Sequence, residues 1–169
     1  MSEVVIREIR LDEVRQMRQV QARSWLATYP NAEHQVSKEW VQQFTDSWLT
    51  KESVAEWVSI VAAAASDPDE FSRVAEVDGH IVGLLHAMRE DHRVELRSLY
   101  IDPSAQGQGI GTALMAAFNA WAGADPTWLD VAVYNERAIR FHQGHGFQIR
   151  PGSVKTIMGV IPAMDMVRP

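Results

Sequence analysis

The spacing of apolar residues changes along the chain, and each change marks an element. Val4-Val5-Ile6-Arg7-Glu8-Ile9 reads as a short first strand. From Leu11-Asp12, Val14, Met17, Val20 and Trp25 recur at helical spacing, up to a stop near Thr28-Tyr29-Pro30-Asn31. Ser37-Lys38-Glu39-Trp40 opens a second helix with Val41, Phe44 and Trp48 on one side, and a third runs from about Ser53 to Ala65. Trp40, Trp48 and Trp57 read as packing residues. Phe71 to Val77 and Ile81 to Met88 are strands joined by Asp78-Gly79, a pair suited to a two-residue hairpin. Ile81, Val82, Leu84 and Leu85 imply burial on both faces of a central strand. The next strand is Val94 to Ile101, where strict alternation puts Glu95, Arg97, Leu99 and Ile101 on one face and Leu96, Ser98 and Tyr100 on the other.

That strand runs into Asp102-Pro103-Ser104-Ala105-Gln106-Gly107-Gln108-Gly109-Ile110-Gly111-Thr112, after which Leu114, Met115, Phe118 and Trp121 share a helical face. Glycines at 107, 109 and 111 let a loop fold tightly and expose successive N–H groups where a helix begins. With the positive end of the helix dipole, those donors favour a phosphate-rich ligand; an ordinary glycine-rich turn is the alternative. Further on, Trp128 to Val133 is a strand, Asn135 caps a helix from about Arg137 to Gly144, and Phe147-Gln148-Ile149 and Ala163 to Val167 supply closing strands.

Spelling narrows the phosphate loop. A P-loop needs a Gly-Lys-Ser/Thr ending, and no lysine lies between Lys51 and Lys155. A dinucleotide fingerprint counted from Gly107 and Gly109 needs its third glycine where Thr112 stands. Gln/Arg-x-x-Gly-x-Gly/Ala does fit, through Gln106, Gly109 and Gly111. It resembles the pyrophosphate loop of the GCN5-related N-acetyltransferase (GNAT) family. Downstream, Asn135-Glu136-Arg137-Ala138-Ile139-Arg140-Phe141-His142-Gln143-Gly144-His145-Gly146-Phe147 is similar to that family's Asn-x-x-Ala-Ile-x-Phe-Tyr-x-x-x-Gly-Phe. The close matches run from about Glu95 to Phe147.

The resemblance implies one α/β (α+β) domain over residues 1–169, a mixed central sheet of about six to seven strands flanked by helices. It also implies an acetyl-CoA-dependent enzyme that moves an acetyl group directly to a primary amine. Leu99, Tyr100 and Ile101 would pair with the pantetheine arm through their backbone. Gln106, Gly107, Gln108, Gly109, Ile110, Gly111 and Thr112 would hold the pyrophosphate, and Asn135 would reach the pantetheine or thioester end while capping its helix. Trp25 and Tyr29 either line the acceptor site or are core aromatics. Strand-mediated homodimers, common in the family, are also open to this chain.

Composition adds limits. At 169 residues and 46% apolar content the chain suits one domain with a proper core. With no cysteine, disulfides and a cysteinyl intermediate are excluded. A net charge of −6 disfavours nucleic acid and mildly favours cationic partners. There is no apolar run of membrane-spanning length and no basic-then-apolar N-terminus, so a soluble cytoplasmic protein without a membrane partner is expected. The histidines lack the paired spacing of a metal site, and no metal is expected.

The chemistry turns on protons. An amine of pKa about 10.4 is neutral in roughly 1 molecule in 2,500 at pH 7, a penalty of about 4.6 kcal/mol. The resemblance makes Glu95 the expected general base, directly or through water, because the family often places one at that strand position; its alternative role is a surface partner for Arg93 or Arg97. Where the family places a tyrosine acid this chain has His142, able to donate a proton when charged or a hydrogen bond when neutral. The expected acceptor is a small molecule: an amine, polyamine, amino-sugar or amino acid. A protein N-terminus or lysine is the alternative, and a CoA-binding sensor without turnover is the rival of a different class.

Overall fold

In a computed structural model, which describes residues 3–169, the hairpin signals and the glycine loop organise a single mixed sheet. The strands are β1 (Val4–Arg7), β2 (Glu70–Val77), β3 (His80–Glu90), β4 (Arg93–Ile101), β5 (Thr127–Ala132), β6 (Gln148–Ile149), β7 (Lys155–Ile157) and β8 (Ile161–Arg168). The helices are α1 (Val14–Thr28), α2 (Lys38–Ser47), α3 (Lys51–Ala64), α4 (Ile110–Ala122) and α5 (Glu136–Gly144). The sheet order is β1-β2-β3-β4-β5-β8-β6, and β7 also pairs with β8. Every pairing is antiparallel except β4 with β5, the two strands that α4 connects.

Local chemistry explains the boundaries. Asp78 and Gly79 both have positive φ, as a tight β2–β3 hairpin requires. Ser37 and Thr50 cap α2 and α3 through side-chain oxygens that accept from the N–H groups of Trp40 and Ser53. Asn135 does the same for α5, accepting from the Ala138 N–H at 3.2 Å. The sequence pattern misses β7, whose three residues are too few to show a period, so the sheet exceeds the expected strand number.

The strict alternation expected for β4 fails at one point, for a definite reason. Ala87 pairs with Leu96 but His86 pairs with Ser98, so Arg97 is an extra residue in the strand. After it the faces exchange. Val94, Leu96, Leu99 and Ile101 all pack in the core with α4, whereas Tyr100 belongs to the cluster beneath α1. The α4 core is built on Leu85, Leu96, Leu114, Met115, Phe118, Phe147 and Met166. The opposite face carries Val14, Met17, Val20 and Leu84 under α1, then an aromatic layer with Trp25, Tyr29, Phe44, Trp48 and Tyr100. Trp40, Trp48 and Trp57 are packing residues there, as expected.

Gly83 sets how closely α4 approaches the sheet. A Cβ at Gly83 would stand 2.9 Å from Ile101, 3.2 Å from Ile110 and 3.3 Å from Leu114. Overpacking of this kind costs about 1–3 kcal/mol. The Gly83→Ala variant is therefore expected to melt roughly 2–12 °C lower than the parent chain; an unchanged midpoint in calorimetry would show that α4 can move away freely.

Candidate active site

β4 and β5 touch only at Val94–Thr127 and Glu95–Trp128 and then diverge. The divergence leaves a cleft of about 330 Å³ between strand edges whose backbone groups face each other without pairing. Leu99, Tyr100 and Ile101 line one wall, and Leu129 to Ala132 line the other. An extended chain carrying amides can complete such an edge, as an added strand would.

At the mouth of the cleft the glycine loop leads into α4. Asp102 anchors its start, accepting from the Ser104 N–H at 3.0 Å, the Ser104 hydroxyl at 2.7 Å and Arg23 Nε at 2.7 Å. Burial pushes the Asp102 carboxyl up, but these bonds outweigh it and hold it below its usual value. Gly107 and Gly109 both sit at φ +79°, a conformation that side chains resist. Gly109 is the N-cap of α4 and supplies no side-chain cap. Among the described residues, none of the N–H groups of 107–112 has a protein acceptor. A run of free donors at a helix start fits an anion.

The other expected residues divide. Gln106, Gly107, Gly109, Ile110, Gly111, Thr112 and Asn135 line the cleft; Gln108 does not, and its side chain turns back to the Ser104 carbonyl. Tyr29 lines the cleft. Trp25 stands behind it in the aromatic layer, with ring centroids 4.4 Å apart. Glu95 does not line this cleft. It faces a neighbouring cavity, where its carboxylate accepts from Arg97 Nε at 2.8 Å, the surface pairing already open from the sequence.

His142 lines the cleft and is 7% exposed, edge-on to Phe141 and Phe147. Its Nδ1 is buried without a hydrogen-bond partner. Burial, helped by His145, lowers its pKa to about 4, so the ring is neutral at pH 7. A neutral imidazole can offer an N–H to a leaving sulfur but holds no ready proton.

Two residues here carried no signal strong enough to single them out in the sequence. Arg137 lines the cleft and its guanidinium donates to the neutral Gln106 amide oxygen, with no carboxylate partner among the described residues. Asp130 lines the opposite wall and is bonded to Lys155 at 2.7 Å, while Lys155 also bonds Asp165 at 2.7 Å. Partial burial, with the nearby Asp165, raises the Asp130 carboxyl above its usual value despite Lys155. Periodicity marks Asp130 only as a polar residue in a strand, because its partners come from the distant β7–β8 hairpin.

A splayed parallel strand pair, a helix start with free N–H groups and a polar wall meet in one cleft. Residues 15–147 match the Acetyltransferase (GNAT) family. The chain is 37% identical over 134 residues to an uncharacterized N-acetyltransferase of Mycobacterium tuberculosis, covering 77% of this chain and 80% of that one. In fold it is similar to the PaiA N-acetyltransferase of Thermoplasma acidophilum in complex with coenzyme A, at TM-score 0.76 and 20% identity over 96% of this chain and 98% of that one. A GNAT-family acetyltransferase from Streptococcus pneumoniae aligns at TM-score 0.75 and 21% identity, covering 98% of both chains. The chain belongs to the GNAT family of acetyl-CoA-dependent N-acetyltransferases. Among the described residues no helix is long and apolar enough to cross a membrane.

The depressed pKa of His142 has a stability consequence. Between pH 6.5 and about 4 the unfolded chain binds a proton there that the folded chain does not. Its contribution is complete above pH 6.5 and is lost as the pH falls to about 4, amounting to at most about 3 kcal/mol. Melting curves from pH 7 to 4.5 should therefore fall more steeply for the parent chain than for His142→Phe. Parallel curves would mean that the ring accepts a proton in place.

Proposed function

We propose that this chain transfers the acetyl group of acetyl-CoA directly to the nitrogen of a small primary amine while both are bound. The observation that carries the reading is the run of free N–H groups at 107–112, opening into a cleft between unpaired strand edges. Those amides suit the diphosphate, and Arg137 supplies a positive charge beside them in a chain of net charge −6. The edges at Leu99 to Ile101 suit the amides of the pantetheine arm, and Asn135 is within the same cleft. Acetyl-CoA, when bound, supplies an activated acetyl carbon and a sulfur leaving group.

Proton removal from the amine is the demanding step, and two carboxylates on this side of the sheet are suited to it. Asp130 lines the cleft and Glu95 does not, so we assign Asp130 the ammonium proton. Glu95, expected from the sequence, would act through water or by orienting Arg97. The freed nitrogen then attacks the acetyl carbon, the carbon–sulfur bond breaks, and the second surplus proton leaves the nitrogen with the sulfur. The thiol formed has a pKa near 8.5 by analogy with cysteine, so a hydrogen bond from neutral His142 is adequate help. Tyr29, with Ser24 and Thr28, lines the same cleft.

A ligand at 100 times its dissociation constant adds about 2.7 kcal/mol, so acetyl-CoA is expected to raise the melting midpoint by roughly 5–10 °C while NAD leaves it unchanged. Equal shifts from both would remove the loop assignment. Arg137→Ala should weaken acetyl-CoA binding by about 10-fold, in line with loss of one charge-assisted contact. With CoA release as the readout, Asp130→Asn is expected to lower turnover at least 100-fold with acetyl-CoA affinity kept. If Glu95→Gln does so instead, the base is Glu95; a sensor without turnover would release no CoA with any amine.

A further inference from the structure

Beside the cleft, on the side of the sheet away from α4, lies a second cavity of about 440 Å³. Trp128 and Val167 form part of its wall. It adjoins the cleft at two points: Arg97 lines both, and Asp130 of the cleft is bonded to Lys155 of the cavity. Its volume falls in the range for small-molecule sites.

Its charges are the informative part. Glu90, Asp91, Glu95 and Asp165 supply negative charge. Arg93, Arg97, Arg150 and Lys155 balance them. A purely cationic acceptor would meet repulsion from the second set as well as attraction from the first. The guanidinium of Arg97 is held at Nε by Glu95, and among the described residues nothing accepts from its two terminal nitrogens. Those nitrogens form the planar fork that matches a carboxylate. Arg93 also has no ion partner among the described residues.

Resting on the reading of the site as an amine acetyltransferase, we propose that this cavity holds the acceptor and that the acceptor is dipolar, a free α-amino acid. Its carboxylate sits on the open fork of Arg97 with Arg93 nearby, and its ammonium points across the shared boundary to Asp130. This makes Arg97 the residue that sets acceptor specificity, and it accounts for the extra position that Arg97 occupies in β4: the bulge aims its side chain at the boundary between the two cavities.

The test is CoA release at saturating acetyl-CoA with each standard α-amino acid, its carboxamide and its decarboxylated amine. The best amino acid is expected to exceed both of its counterparts by about 10-fold or more in kcat/KM. In Arg97→Gln that ratio should shrink to about 3 or less, and Arg97→Lys, which keeps the charge but loses the fork, should fall between. A carboxamide or decarboxylated amine that matches or beats its acid, or a ratio unmoved by Arg97→Gln, overturns the dipolar acceptor while leaving the acetyltransferase reading intact. Acetyl-CoA binding with no turnover of any amine overturns both.

Discussion

The structure depends on a pairing that stops early. β4 and β5 join through two residue pairs and then separate, so the backbone of the two facing edges no longer pairs across the gap. Unpaired backbone inside a fold is costly unless water or a ligand satisfies it. Here the remaining pairings surround the gap and hold it open: β3 fixes β4 along its length, and β8 fixes β5 from Thr127 to Ala132. The two halves of the sheet are each complete, and the cleft is what remains between them.

Electrostatics then sorts the two sides of that gap. Toward α4 the charge is supplied by backbone amides and a helix start, with Arg137 the nearby cation. This gives an acidic chain of net charge −6 a loop suited to an anion without a lysine in it. Toward α1 the charges are side chains in opposed pairs: Glu95 with Arg97, Asp130 and Asp165 around Lys155, and Asp165 again with Arg150. Burial along the cleft works in two directions, keeping His142 neutral and raising Asp130. Both shifts suit a reaction whose harder step is taking a proton from an amine.

Much of this was legible in the sequence because the phosphate loop is local. Gln106, Gly109 and Gly111 lie within six residues, and the missing lysine and Thr112 turned away two other phosphate motifs. The hairpin at Asp78-Gly79 and the caps at Ser37 and Asn135 are equally local. What alternation missed was the bulge at Arg97, because one inserted residue changes no composition and only the partner strand reveals it. Asp130 was hidden for the opposite reason: its character comes from Lys155 and Asp165, which the fold brings to it from 25 and 35 positions away. Glu95 was visible as a carboxylate on the right strand, but which cavity it faces depends on that same bulge.

The most direct test of the central idea is to watch the loop amides themselves. In a backbone-resolved NMR titration with coenzyme A, the N–H signals of 107–112 should move downfield together as they acquire phosphate acceptors, accompanied by those of β4 from Leu99 to Ile101. Saturation of the protein with those signals unmoved, and the shifts gathered elsewhere on the chain, would contradict the account.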